Sequence, residues 1–328
     1  MKKTKKFKSM AVLLVGIMLL AAFVVGCTSN TGGNDSTPSR LAIATGGTSG
    51  VYYPLGGAVA NIITSHVDGV TANAESTGAS VENVNLLNIG DVDFALVQND
   101  ISYYAFNGIE MFDDRDPMKN LRGIATLYPE TIQIVANASA DINSIEDLRG
   151  KRVAVGAPGS GTEANARQIL AAHGLTYDDI QADYLSFAEA ADNLKDGHVQ
   201  AAFVTAGTPT AAITDLSTTH SINLLPISSD VAKSLIAEYP YYAEVKIPAG
   251  TYRNQDTEVN AVAVMAMLTV RAGLDEDLVY DITKSIYENL NTLAAAHARG
   301  EDVSLDKAFD GMSLEIHPGA QRYFNEAK

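Results

Sequence analysis

The 328-residue chain carries a single cysteine, Cys27. One thiol excludes a disulfide within the molecule and any zinc site built on cysteine. The six histidines, His66, His173, His198, His220, His297 and His317, show no H-E-x-x-H or other ligand spacing, so no metal centre is expected from them. Basic residues are scarce: 23 Lys and Arg stand against 39 Asp and Glu, a formal charge of −16. Five of those lysines, Lys2, Lys3, Lys5, Lys6 and Lys8, lie before Cys27, so the chain beyond it stands near −21. Such a surface argues against nucleic acid, whose phosphates need clustered Lys and Arg. Diffuse charge is screened over about 8 Å at physiological salt, so a small anion held by local donors is still compatible with it. Past the first 27 residues no apolar run is long enough to span a bilayer. "VNAVAVMAMLTV" is too short and reads as a buried strand.

What the chain does have begins with a leader. The lysines, the apolar run "MAVLLVGIMLLAAFVV" and "VVGC" ending at Cys27 have the order of a signal peptide. A lone cysteine after a small residue at that point is expected to carry lipid, giving an extracytoplasmic protein anchored to the membrane at the cell surface or in the periplasm. Residues 28–39, "TSNTGGNDSTPS", lack apolar periodicity and read as a flexible tether. The remaining chain, about 290 residues, is comfortable for two lobes.

A unit occurs twice. "RLAIATGGTSGVYYPLGGAVANIIT" and "KRVAVGAPGSGTEANARQILAAHG" each read as strand, Gly-rich loop, helix. "SVENVNLLNIGDVDFALVQND" and "FAEAADNLKDGHVQAAFVTAG" follow them, with Gly90 matching Gly197, Val92 matching Val199 and Val97 matching Val204. Alternating strands and helices predict parallel sheets. Two such units predict two α/β lobes, with strands crossing between them near "ETIQIVANA" and "EVNAVAVMAM". Ligands of open parallel sheets sit at the carboxyl ends of the strands. Here those ends are the two Gly-rich loops, "ESTGAS", "VQND" and "VTAGTPT", which are expected to line one cleft. The helical "EDLVYDITKSIYENLNTLAAAH" places Leu278, Ile282, Ile286, Leu290 and Leu293 on one face, as core packing requires.

Several chemistries are excluded by the loops themselves. "GAPGSGTE" has the glycine spacing of a P-loop, but Thr162 and Glu163 stand where Lys and Ser/Thr are needed. "TGGTSG" is not G-x-G-x-x-G. Neither Ser49 nor Ser160 lies in G-x-S-x-G. No cofactor, catalytic residue or metal is therefore expected. Binding remains. A helix N-terminus offers unpaired N–H groups suited to an anion. Ser49, Ser80, Ser160, Thr162 and Thr208 add hydroxyls, and Tyr52 and Tyr53 add amphipathic rings.

"IATGGTSGVYYPLGGAVANII" resembles the signature of the TAXI-type solute-binding proteins of TRAP transporters. "ESTGASVENVNLL", "GDVDFALVQND" and "KRVAVGAPGSGTEANARQIL" resemble that family's later blocks in order and spacing. The resemblance implies a type II periplasmic-binding-protein fold of two lobes, each a mainly parallel sheet flanked by helices. Lobe 1 is expected over 40–130 plus 265–328, and lobe 2 over 131–264. It implies capture of an acidic amino acid such as glutamate, or a related dicarboxylate, and delivery to a permease driven by an ion gradient. The implied ligand residues are Gly47, Ser49, Gly50, Tyr52 and Tyr53 in the first block; Ser76, Thr77, Gly78 and Ser80 in the second; and Gln98 at the end of the third. Ser160, Gly161, Thr162 and Glu163 open the second-lobe helix, and Thr205, Gly207, Thr208 and Pro209 follow its matching strand. The family often has "TGGTGGVYYP" where this chain has Ser49. No arginine stands in these loops, so backbone amides and hydroxyls are expected to hold the anion. An extracellular enzyme or a ligand sensor using the same cleft are the alternative readings.

The leader yields a direct test. Cys27→Ser is expected to move the protein from the membrane fraction to the soluble fraction without unfolding it; retention of the variant in the membrane would refute lipidation.

Overall fold

The computed structural model describes residues 39–327. The leader, the proposed lipid site Cys27 and the tether before Ser39 lie outside the described residues. Ser39 itself already opens the first strand.

The twice-written unit folds twice. In the first copy β1 (Ser39–Ala44), α1 (Tyr52–His66), β2 (Val70–Glu75), α2 (Ser80–Ile89) and β3 (Phe94–Gln98) follow in order, and α3 (Asn99–Asn107) leaves β3 directly. β1 lies parallel between β2 and β3. After the long strand β4 (Leu121–Asn137) comes the second copy: β5 (Arg152–Ala154), α4 (Gly161–Ala172), β6 (Gln181–Asp183), α5 (Phe187–Lys195) and β7 (Ala201–Ala206). β5 lies parallel between β6 and β7. Then α6 (Ala211–Thr219), β8 (Ile222–Leu224), α7 (Ser229–Glu238) and β9 (Ala243–Ile247) lead into the second long strand, β10 (Val259–Arg271). Helices α8 (Glu276–Glu288), α9 (Leu290–Ala296) and α10 (Pro318–Ala327) close the described chain.

The two parallel halves form one continuous mixed sheet, in the order β2-β1-β3-β10-β4-β7-β5-β6. β10 is antiparallel to β3 and to β4, and β4 is antiparallel to β7. Each long strand changes partner along its length. β4 pairs with β10 from Leu121 to Thr131 and with β7 from Thr131 to Ala136. β10 pairs with β9 up to Ala263 and with β3 from Ala266 to Val270. Both strands are covered on both faces, which is why they read as near-continuous apolar runs rather than alternating ones. The segment "VNAVAVMAMLTV" is thus a central strand.

The local punctuation has physical causes. Gly90 ends α2 at φ 81°, and Gly197 follows α5 at φ 72°; both are left-handed, where glycine escapes the Cβ penalty. "VQND" is not a loop. Gln98 ends β3 and Asn99 begins α3, because side chains supply the partners that the first helical turn needs. Asn99 Oδ1 accepts from the Asp100 amide, and Asp100 Oδ1 accepts from Ile101. The long C-terminal helical run is interrupted at Asn289, between α8 and α9, while Ile282, Ile286 and Leu293 are buried on its core side.

Helix α1 is drawn close onto the sheet by Gly56. A Cβ there would overlap Thr45 Cγ2 and come within 3.2 Å of Leu96 Cδ1, whereas a Cβ at Gly57 meets nothing within 4 Å. Alanine favours a helix over glycine by about 1 kcal/mol at both positions, but overpacking costs roughly 1–3 kcal/mol. Urea denaturation is therefore expected to show Gly56→Ala destabilised and Gly57→Ala unchanged or stabilised by up to about 1 kcal/mol. Equal shifts for the two would refute this packing.

Candidate functional site

The carboxyl ends of all six parallel strands converge on one cleft. Gly46, Gly47, Gly50, Val51 and Tyr52 come from the loop after β1 and the start of α1. Thr77, Gly78, Ala79 and Ser80 follow β2, and Gln98 ends β3. From the second half, Ala157, Ser160, Gly161 and Thr162 follow β5, Ser186 and Phe187 follow β6, and Thr205 and Ala206 end β7. Glu130 completes the wall from within β4. The cleft encloses about 580 Å³ of empty space, counting its open mouth.

Eleven of the eighteen residues singled out from sequence line this cleft: Gly47, Gly50, Tyr52, Thr77, Gly78, Ser80, Gln98, Ser160, Gly161, Thr162 and Thr205. Seven lie off its wall. Tyr53 follows Tyr52 by one helical position, so it points elsewhere and is 37 % exposed. Ser49 is half-buried on the preceding turn. Ser76 braces the loop, its hydroxyl donating to the Gly46 carbonyl at 2.9 Å. Glu163 is turned away from the loop's interior: its carboxylate pairs with Arg167 and accepts from the Tyr177 hydroxyl at 2.9 Å. Gly207 makes room for the Arg299 and Tyr128 side chains. Thr208 and Pro209 lie beyond the end of β7, half-buried and exposed.

Helix ends supply donors unevenly. α1 begins at Tyr52 with no side-chain cap. In α4 the Ser160 hydroxyl accepts from the Glu163 amide at 3.2 Å, while no described residue accepts from the amides of Gly161 or Thr162. The first turn of α2 is already satisfied across the cleft: the amides of Val81 and Glu82 both donate to the Gly159 carbonyl, at 3.0 and 3.1 Å. Glycine is needed at 161 because a Cβ would run into the buried Gln98 amide group. At Gly78 a Cβ would lie 2.6 Å from the Pro158 carbonyl oxygen. At both places the two halves approach closely across the cleft. Deeper in, a polar network joins α3 to α4. Asn165 Nδ2 donates to Asp100 Oδ2 at 2.9 Å and to the Tyr242 hydroxyl at 3.0 Å, and Tyr242 donates to Gln168 Oε1 at 2.6 Å.

Sequence reasoning missed Glu130, Ser186 and Phe187. Glu130 is 3 % exposed and accepts from the Tyr52 hydroxyl at 2.7 Å. Among the described residues, no Lys, Arg or His lines the cleft. Burial first, and the nearby Asp100 carboxyl second, push Glu130 from an ordinary 4.5 up to about 8, against the opposing pull of the Tyr52 bond. Burial likewise raises Asp100 to about 6. Two further cleft groups, Gln98 Oε1 and Thr205 Oγ1, are buried without a partner.

Two α/β halves joined through long shared strands, with a cleft over the strand ends of both, define the fold of the periplasmic binding proteins. The chain belongs to the NMT1-like family, whose profile matches residues 43–327. Among solved structures it is similar to PhnD1 from Prochlorococcus marinus in complex with methylphosphonate. Identity there is 12 %, over 83 % of this chain and 92 % of that one, with a TM-score of 0.55. It is also similar to the alkanesulfonate-binding protein SsuA from Xanthomonas axonopodis pv. citri bound to MOPS, at 16 % identity over 88 % and 84 %, with a TM-score of 0.50. At such identities the likeness is one of fold.

The raised Glu130 has a signed consequence. Between pH 6 and 8 the native state keeps a proton that the unfolded chain has lost, so stability falls as pH rises, by at most about 1.4 kcal/mol per pH unit. Asp100 contributes its own fall mainly below about pH 6. Glu130→Gln is expected to flatten the decline between pH 6 and 8 in denaturation midpoints; an unchanged slope would refute it.

Proposed function

We propose that the protein is an extracytoplasmic solute-binding protein that captures a small solute between its two halves and hands it to a membrane permease. The observation that carries this reading is the convergence of six strand ends from two halves on one cleft. The NMT1-like family and the binding-protein fold support it. The resemblance of "TGGTSGVYYP" to the TAXI-type proteins supports the finer reading, a TRAP-type permease as partner and a glutamate-like or dicarboxylate solute. The lipid anchor at Cys27 belongs to the same proposal.

The halves are proposed to act as lobes, 40–130 plus 265–328 and 131–264. The changes of partner at Thr131 in β4 and between Ala263 and Ala266 in β10 support that division. The free amides of Gly161 and Thr162 are proposed to meet the solute's anionic end, where the partial positive charge of a helix N-terminus is greatest.

Native mass spectrometry of the purified protein tests the function: a small molecule should co-purify and be recovered chemically unchanged. With that molecule in hand, calorimetry should show Thr162→Ala weakened by about ten- to a hundredfold, the cost of one hydrogen bond to a charged group. Gly161→Val should bind worse still, since its side chain displaces Gln98. Ser160→Ala should also lower the stability of the empty protein, by about 1 kcal/mol for the lost helix cap. Undiminished affinity in all three, with the fold intact, would place the site elsewhere.

A further inference from the structure

The cleft lacks the cationic side chain that an anion alone would favour. Among the described residues, the one carboxyl lining it is that of Glu130. One oxygen, Oε2, accepts from Tyr52 at 2.7 Å; the other accepts from no described residue. Gln98 Oε1, a second acceptor on the same wall, is buried and unpartnered. A buried carboxyl and an orphan amide oxygen are expensive unless something donates to both. Among the described residues no cation does so. Arg299, which acts on the neighbouring Tyr128, is paired with Asp302 at 3.0 Å.

We propose that Glu130, assisted by Gln98, is the site's receptor for a protonated amine on the solute. This rests on the solute-binding reading and narrows it. The solute carries an ammonium group as well as the anionic end met at α4, and amine-free dicarboxylates are discriminated against. Glu130 therefore acts as a specificity residue. An ammonium donates to the Glu130 carboxylate and replaces the proton that burial otherwise keeps on it, so binding near neutral pH releases a proton to solvent. The ionisable groups around Glu130 are Tyr52 of α1, Tyr128 of its own strand and Asp100 of α3. The phenols stay protonated at that pH. Asp100 is held by Asn165 and by its own helix turn. Glu130 is thus the group that exchanges.

The test is calorimetric titration with pairs that differ only in the amine: L-glutamate and glutarate, L-alanine and propionate, taurine and ethanesulfonate. At least one amine-bearing member should bind about tenfold or more tighter than its partner. Glu130→Gln should bring that pair to within about threefold of each other, chiefly by weakening the amine-bearing member. In wild type, the binding heat of that member at pH 7 should vary with the buffer's ionisation enthalpy, reporting proton release. This second readout needs no variant to fold. Equal affinity within every pair, discrimination that survives Glu130→Gln, or heats independent of buffer would overturn the proposal. So would a co-purified molecule without a basic nitrogen, or no binding by any of the six; either leaves the solute-binding reading standing if native mass spectrometry still shows a ligand. Absence of any bound small molecule would overturn both.

Discussion

Every loop of the cleft is held in place by the pairing of β4 with β10. The two strands lie antiparallel side by side, and each continues past the other to serve a different set of neighbours. Because one sheet runs through both halves, the carboxyl ends of β1, β2 and β3 and those of β5, β6 and β7 are brought over the same strip of backbone. Glu130 sits in that strip, one residue before β4 changes partner. A residue there is within reach of both halves but belongs to no loop. Almost wholly buried, its carboxyl keeps a proton near neutral pH, and among the described residues the Tyr52 hydroxyl is its one hydrogen-bond partner. The candidate site is therefore an acidic group in a buried strand, with the loops of both halves arranged around it.

Much of this was legible from residue order. The repeat predicted two parallel units, and each places its first strand between its second and third. The matched Gly90 and Gly197 both proved to be left-handed, a requirement that sequence expresses directly. The crossing segments were visible as apolar runs. The cleft was legible through its glycines, since backbone that must approach closely advertises itself by lacking Cβ. Gly161, expected among the ligand residues, lines the cleft, and its lack of a Cβ leaves room for the Gln98 side chain.

What stayed hidden has physical reasons. The loop after β6 carries no glycine, so Ser186 and Phe187 gave no signal of their own. The repeat held the clue: the 107-residue offset from Gly90 to Gly197 carries Ala79 onto Ser186 and Ser80 onto Phe187. Glu130 was hidden inside "ETIQIVANA", read only as a strand. Its signal was the one acid in a strand with apolar residues at Ile132, Ile134, Val135 and Ala136, informative because charge is seldom buried unpaired. Tyr53 and Glu163 were counted with neighbours that do face the cleft. Their exclusion follows from helical geometry, which turns successive side chains through about 100°. Contiguity in a motif is not contiguity in space.

The Gly159 carbonyl completes the first turn of α2 from the opposite half of the molecule. A helix whose cap is borrowed across a cleft is finished only while the cleft is shut. If the proposed lobes part, the amides of Val81 and Glu82 lose their acceptor together and face water. Hydrogen exchange at those two positions would then report the population of the open form, and an occupant that keeps the halves together would lower it.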